Sequence, residues 1–240
     1  FPNKPATNRN VVVEERGGSI VLLPTQPYGG PGNAGSNAKR KVRTFTIPRM
    51  VYDESITPED IHGVRAFGGN EQANLSALLN ERLATAKAKH DISLEFMRMG
   101  ALKGTVVDGA GVTVYDYNAE FGYTQLTVDF VLGTSTTLVA NKCRAVVRYI
   151  EDNLLGDVST GVRALVSQEF YDKFITHAKV EAAYANYAAA ADRIGGDLRG
   201  GFTFGGITFE EYRGVANDIN GASQRFIASG DGYAFPTGTS

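Results

Sequence analysis

The chain has no tryptophan and a single cysteine, Cys143, among its 240 residues. One cysteine excludes an internal disulfide framework and a metal site built from several thiolates. No apolar run approaches the roughly 20 residues that cross a bilayer. A signal peptide has a basic segment followed by an apolar one, and the sequence that begins at Phe1 does not show this pattern. We therefore expect a protein made and assembled in a reducing cytoplasm, and we expect a native N-terminus that is missing or processed.

The charge balance gives no overall field of one sign. The formal net charge is −2, with 42% hydrophobic and 21% charged residues. This composition is ordinary for a soluble protein, and the length suffices for one or two domains with a core. A chain without a basic excess is not drawn onto nucleic acid by its total charge.

The first 60 residues predict an extended hairpin and not a compact domain. Residues Val11–Leu23 are apolar at both ends with a Gly17-Gly18 break, and alternation resumes over Lys39–Ile47. Between them, Pro24–Asn37 is rich in proline, glycine and asparagine, as loop tips are. An isolated two-stranded ribbon is marginally stable. We expect its partner to be another copy of the chain.

A long helix follows. Asn70 or Asn74 would cap it, and residues recur at helical spacing on one side of it: Leu75, Leu78, Leu79, Arg82, Leu83 and Ala86. Continuation to Met99 gives about 28 residues, or roughly 40 Å, against an average of about 11–12 residues. Charged residues interrupt the apolar stripe beyond Ala86, so only part of the helix can lie on a core. The pattern is typical of a long supporting helix, which is called the strut below.

The strut breaks between Gly100 and Gly104 and passes into a short hairpin. The predicted strands are Thr105–Val107 and Val112–Tyr117, joined by the turn Asp108-Gly109-Ala110-Gly111. We expect Asp108-Gly109 to supply the positive φ of a tight turn.

The remainder predicts an α+β block. The sequence predicts a helix over Lys142–Leu154, a buried strand over Gly161–Val166 and a helical run capped by Ser167. That run continues through Val180–Ile194 and stops at Gly195-Gly196. Two short strands hinged by glycines follow over Phe202–Tyr212. Helix, strand, helix and hairpin together indicate an α+β layer structure.

No residue pattern nominates a catalytic, metal or cofactor site. His62, His90 and His177 lie far apart with no partner at ligand spacing. Ser167, Asp172 and His177 could be read as a triad, but Ser167 is better explained as a helix cap. Cys143 is interpreted as a small buried apolar residue. The glycine clusters at Gly100–Gly104 and Gly200–Gly206 lack the residue order of a phosphate loop.

One charge cluster is a candidate contact surface. Its members lie on and after the second hairpin strand: Lys39, Arg40, Lys41, Arg43 and Arg49. They could be a solvated edge that prevents aggregation, a surface that docks on an acidic patch of a neighbouring subunit, or a DNA contact. We favour the subunit contact because the ribbon needs a partner. DNA contact is the weakest alternative, since no aromatic residues interleave with these charges.

The segment from Leu94 to Gln125 closely resembles the middle of the phage major capsid protein E family, the shell proteins of lambda-like tailed phages. Its matching motifs are Leu94-Glu-Phe-Met-Arg-Met-Gly-Ala-Leu-Lys-Gly104, Asp108-Gly-Ala-Gly111, Tyr115-Asp116 and Glu120-Phe-Gly122. The resemblance extends over nearly the whole chain, through Val12–Glu14, Lys41–Pro48, Asp53–Ile56, Val64–Gly68 and Phe202–Tyr212. Where family members often carry arginine at the loop tip, this chain has Tyr28-Gly29-Gly30-Pro31.

The resemblance implies a Hong Kong 97-like capsid fold. Residues 1–64 would form an extended N-terminal arm and an E-loop β-hairpin, residues 65–140 a peripheral domain with a long spine helix, and residues 141–240 an α+β axial domain. We expect the family's C-terminal part to be absent from the chain.

The implied function is that of a non-enzymatic major capsid protein of a phage or prophage. It would self-assemble into hexamers and pentamers of an icosahedral shell around double-stranded DNA, without a cofactor or a membrane partner. Scaffolding, portal and decoration proteins would be its partners, the virion capsid its location, and the bacterial host cytoplasm its place of assembly. Two alternatives stay open: an encapsulin-like compartment shell of the same fold, and a cytosolic enzyme with an unrecognised site.

Overall fold

A computed structural model describes residues 7–16, 40–60, 75–154, 157–194 and 201–239. These residues form helices and strands in an α+β arrangement, as predicted. The helices are α1 (Leu75–Lys103), α2 (Tyr117–Phe121), α3 (Val139–Asn153), α4 (Gln168–Ile175) and α5 (Glu181–Ile194). The strands are β1 (Asn10–Arg16), β2 (Arg40–Thr46), β3 (Thr105–Val107), β4 (Thr113–Asp116), β5 (Gly161–Val166), β6 (Phe202–Phe204), β7 (Ile207–Glu211), β8 (Val215–Asn217), β9 (Ser223–Arg225) and β10 (Gly232–Thr237).

Internal contacts divide the chain into two compact units. The first contains Ile47–Tyr123 and Ala216–Gln224. The second contains Thr124–Val215 and Arg225–Ser240, together with the hairpin that ends at Thr46. The predicted boundaries at 64/65 and 140/141 follow the family resemblance and stay predictions.

Strands β1 and β2 form an antiparallel ribbon. Its register runs from Asn10 opposite Thr46 to Arg16 opposite Arg40, without a bulge. The Thr46 hydroxyl donates a hydrogen bond to the Asn10 side-chain oxygen at 3.0 Å and closes the open end. The predicted pairing is therefore confirmed. The predicted break at Gly17-Gly18 and the loop tip over residues 24–37 lie outside the described residues.

Helix α1 has 29 residues, close to the predicted length of about 28. A rise of 1.5 Å per residue makes it about 44 Å long. Met99, near its C-terminal end, is its one buried residue. The leucines at its beginning face solvent instead of a core, with exposed fractions of 52% for Leu75, 45% for Leu79 and 58% for Leu83. The predicted caps Asn70 and Asn74 lie outside the described residues.

The hairpin after α1 is confirmed, but one detail of its turn was predicted wrongly. The Asp108 carboxylate accepts hydrogen bonds from the backbone N–H groups of Ala110 and Val112, both at 2.9 Å. The positive φ of +82° belongs to Gly111, and Gly109 does not have one. The turn is longer than a two-residue hairpin loop, because the Asp108 backbone N–H bonds to Val112 O at 2.9 Å. Its left-handed residue therefore falls two positions later.

The second unit is built on a four-stranded sheet with the order β10-β5-β7-β6. Strands β5 and β7 are parallel, and the other pairs are antiparallel. The predicted strand over Gly161–Val166, the glycine-hinged pair β6 and β7, and the helix α3 are confirmed. The helical run after Ser167 forms two helices, α4 and α5, with turns between Ile175 and Glu181. The stop predicted at Gly195-Gly196 lies outside the described residues.

An aromatic cluster fills the space between this sheet and its helices. The rings of Phe174 on α4 and Phe209 on β7 have centroids 4.3 Å apart, and both side chains are fully buried or nearly so. The rings around them come from several elements: Phe130, Phe170, Phe202, Phe204, Tyr184 and Tyr187. In the described part of the chain, no helix is both long enough and apolar enough to cross a membrane.

Candidate assembly interface

The ribbon exposes apolar side chains on both of its faces. Successive residues of a strand point to opposite faces. Val11 and Val13 therefore share one face with Phe45, with exposed fractions of 39% and 36% for the two valines. Val12 and Val42 lie on the other face and are 57% and 61% exposed. Both faces therefore leave apolar area exposed to water in the isolated subunit, most of it at Val12 and Val42.

An ion pair joins the two strands near the middle of the ribbon. The Arg43 guanidinium donates a hydrogen bond to the Glu15 carboxylate. This hydrogen bond lowers the pKa of Glu15, with smaller contributions from the charges of Arg43 and Lys41. Lys41 lies directly opposite Glu15 in the register. The Phe45 face therefore carries two cations and one anion.

The predicted basic cluster is divided by the strand alternation. Lys41 and Arg43 lie on the Phe45 face, whereas Arg40 lies on the Val42 face, opposite Arg16. Arg49 follows the end of β2 and is exposed. Lys39 lies outside the described residues. The structure therefore brings Lys41 and Arg43 together around Glu15, and it separates Arg40 from them.

The structure gives Ser167, Asp172 and His177, the candidate triad, environments that do not join them into one site. The buried Ser167 hydroxyl accepts the backbone N–H of Phe170 at 3.3 Å and of Gly230 at 2.9 Å. The buried His177 ring contacts Thr134 O through Nε2 at 2.9 Å, and its Nδ1 accepts the N–H of Lys179 at 3.2 Å. Both ring nitrogens are thus satisfied by backbone, with the proton on Nε2. Asp172 is exposed on α4. Ser167 caps α4, as predicted, and His177 shapes the turn before α5.

Cys143 is fully buried on α3. Burial raises the pKa of its thiol from the ordinary value of 9.0 to about 12. A thiol in this environment stays protonated and is a poor nucleophile at neutral pH. Among the described residues, no group of three or more histidine, cysteine, aspartate or glutamate side chains is placed to hold a metal ion.

A shallow groove of about 230 Å³ lies in the second unit, beside the start of α4. Arg213 and Arg225 line it, together with neighbouring residues that include Tyr212, Gly214 and Val215. Arg225 pairs with Glu169, and Arg213 pairs with Glu211 at 3.3 Å. Both arginines of the groove therefore have a carboxylate partner within the second unit.

Sequence reasoning missed a polar network in the first unit. Arg82 on α1 pairs with Glu54 at 3.3 Å and with Asp60 at 3.1 Å. No periodicity could have identified these partners, because they are separated from Arg82 by more than twenty positions and lie in a segment without strand or α-helix.

Among the described residues, the exposed ribbon is therefore the candidate contact surface. A sequence profile of the phage major capsid protein E family matches residues 1–240. The chain belongs to this family. The resemblance identified from its sequence motifs is confirmed.

Two capsid proteins show the degree of similarity within this family. The major capsid protein of Pseudomonas phage KPP10 is 32% identical over 248 aligned positions, which cover 96% of this chain and 70% of the relative. The major capsid protein of Salmonella phage Felix O1 is 30% identical over 229 positions, covering 85% of this chain and 62% of the relative. Membership in the capsid family indicates a structural component of a phage virion.

Proposed function

We propose that this capsid-family chain is the major head protein of a lambda-like tailed phage or prophage. It self-assembles into an icosahedral shell of hexamers and pentamers around double-stranded DNA, adopts the Hong Kong 97-like fold and has no enzymatic activity. The observation that carries the proposal is the ribbon, which exposes valines on both faces within a chain matched over its full length by a capsid family.

The physical argument rests on exposed area. A two-stranded ribbon that leaves Val12 and Val42 more than half exposed gains free energy when another surface covers it. In a closed symmetric assembly each copy donates one ribbon and accepts one, so the same gain is repeated at every contact. Many contacts of modest strength then add to a stable shell.

The decisive test places charge on the ribbon of the full-length protein. The double variant Val12→Asp/Val42→Asp should remain folded by circular dichroism but yield no hollow particles by negative-stain electron microscopy. Val158→Asp is the matched control, because Val158 is 76% exposed and lies outside the ribbon. Normal shells from the double variant would refute the role of the ribbon. Absence of particles from the unaltered full-length protein expressed alone would refute assembly without the proposed scaffolding protein.

The predicted loop tip gives a second test. Deletion of residues 24–37 should leave the monomer folded and abolish shell assembly. Normal particles from this deletion would show that the tip has no part in the subunit contact.

The basic residues offer a third test, of what the ribbon contacts. We propose that the predicted basic cluster meets an acidic patch of a neighbouring subunit. Its members Arg40, Lys41 and Arg49 are used for the test, because Arg43 pairs with Glu15 inside the ribbon. Reversal to glutamate at these positions should reduce assembly of empty shells, which contain no DNA. Assembly of empty shells at the unaltered level, with reduced retention of DNA in filled ones, would assign the residues to DNA instead.

The content of the particle separates a phage head from an encapsulin-like compartment. We propose scaffolding, portal and decoration proteins as partners in a head assembled in the host cytoplasm. Particles purified from the native host should contain nuclease-protected double-stranded DNA of uniform length. Particles that contain a cargo enzyme and no DNA would favour the compartment.

A further inference from the structure

Residues 51–60 lie along α1 within the first unit, and they are called the strap below. A single arginine on α1 makes three of the contacts between the helix and the strap. Arg82 pairs with the carboxylates of Glu54 and Asp60, and it donates a hydrogen bond to the backbone oxygen of Ser55 at 2.7 Å. One side chain thus holds the strap at its middle and at its end.

A second contact lies two helical turns further along α1. The Lys89 ammonium donates to the Tyr52 hydroxyl at 2.7 Å and stands 4.1 Å from the centre of the Tyr52 ring. The Tyr52 hydroxyl in turn donates to Glu54 at 3.0 Å. Arg82 and Lys89 therefore reach the strap through one connected set of polar groups.

The strap itself is closed by a local turn. The Asp60 carboxylate accepts the Thr57 backbone N–H at 2.9 Å and the Thr57 hydroxyl at 3.1 Å. The same carboxylate pairs with Arg82, so it connects the turn to the helix. The turn can persist without the helix, because Thr57 and Asp60, which form it, both belong to the strap.

Burial of apolar surface contributes little to this attachment. Eight of the ten strap residues are exposed, including Val51 at 56%, and Ile56 is the one partly buried aliphatic residue. The apolar leucines of α1 at positions 75, 79 and 83 also remain exposed. The strap therefore lies on the helix by charge and hydrogen bonding, and such contacts are weakened by salt.

We infer that the strap is a conformational device, held on α1 by Arg82 and Lys89 and released as ionic strength rises, while α1 and the β3–β4 hairpin stay folded. Only residues 47–50 separate the strap from the end of β2. Among the described residues, release would therefore remove the non-covalent contacts with α1 that come soonest after β2 in the sequence. The inference concerns the subunit alone and holds whether or not the chain forms a shell.

The experiment measures distances in the unassembled full chain by double electron–electron resonance. Spin labels at Asp53→Cys and Asp91→Cys report on the strap against α1. A second pair, Asp91→Cys and Ala110→Cys, reports on α1 against the β3–β4 turn. All three sites are exposed. The native Cys143 is fully buried and should stay unlabelled.

From 0.05 to 1 M salt the Debye length falls severalfold, to about 3 Å. The fraction of molecules in which the labels at positions 53 and 91 are far apart should then rise about three- to tenfold. The distribution of distances between the labels at positions 91 and 110 should not change. Arg82→Gln should show the wide distribution at low salt already. Lys87→Gln, an exposed cation on the same helix, should match the unaltered protein.

Two results would overturn the inference. The strap pair could keep its narrow distribution at 1 M salt and in Arg82→Gln, which would mean that the strap is a fixed part of the fold. Alternatively, both pairs could broaden together, which would mean that the unit unfolds and no strap is released. If Arg82→Gln does not fold, the salt series in the unaltered background decides alone.

Discussion

Gly205 lies directly against Cys143, so closely that a Cβ atom added at Gly205 would stand 2.6 Å from the Cys143 Cβ. The two residues bring the β6–β7 turn onto α3. Gly205 also has a φ of +61°. We predict that Gly205→Ala lowers the free energy of unfolding by about 2–4 kcal/mol, through overpacking and left-handed strain together. Urea denaturation monitored by circular dichroism measures the loss.

The neighbouring glycine provides the control for this prediction. Gly206 also has a positive φ, of +89°, but a Cβ there would meet Val147 at an ordinary 3.6 Å. Gly206→Ala should therefore cost only the conformational strain, about 1–2 kcal/mol. If both variants lost the same free energy of unfolding, the close contact of Gly205 with Cys143 would add nothing to the cost of the substitution.

The thiol of Cys143 should be unreactive in the native protein. Its pKa of about 12 leaves a thiolate fraction on the order of 10⁻⁵ at pH 7. Ellman's reagent should label about one thiol per chain in 6 M urea and almost none in native buffer over the same time. Rapid stoichiometric labelling of the native protein would contradict the buried position.

Ser167→Ala should destabilise the second unit by about 1–3 kcal/mol. The substitution removes the cap of α4 and leaves the Gly230 N–H without the acceptor it has at 2.9 Å. Chemical denaturation measures the change, and Gln168→Ala at the next, exposed position should stay within about 0.5 kcal/mol of the unaltered protein. An unchanged midpoint for Ser167→Ala would remove the structural role assigned to the hydroxyl.

The turn between β3 and β4 should distinguish its two glycines. Gly111 has a φ of +82°, whereas Gly109 has no positive φ and open space around its Cβ position. Gly111→Ala should therefore lower stability by about 1–2 kcal/mol. Gly109→Ala should be neutral or stabilising by about 0.4–1 kcal/mol, because it restricts the unfolded chain. If thermal denaturation showed Gly109→Ala to be less stable than Gly111→Ala, the positive φ would belong to the Asp108-Gly109 step, as the sequence predicted.

Local patterns predicted the elements of the fold well. The strand over Gly161–Val166 has the predicted bounds, α1 differs from its predicted length by about one residue, and Ser167 caps the helix it was expected to cap. These features depend on neighbours within a few positions. Alternation, helical spacing and capping chemistry act over that range, so the sequence alone reports them.

Features that depend on distant partners were not predictable in the same way. The leucine stripe of α1 has the spacing of a buried face, yet its first turns are exposed, because periodicity identifies an apolar side but not what covers it. The basic cluster is continuous in sequence, but strand alternation puts Arg40 and Arg43 on opposite faces of the ribbon. The pairing of Arg82 with Glu54 and Asp60 joins parts of the chain with no common pattern.

The sequence by itself determined the order of ribbon, long helix, hairpin and α+β block, and its motifs determined the capsid family. Local conformation and family signatures are properties of short stretches read in order. Only the tertiary structure decided the parallel pairing of β5 with β7, the contact of Gly205 with Cys143 and the attachment of the strap to α1. These depend on which distant surfaces fit together, and that choice is made by packing and charge across the folded chain.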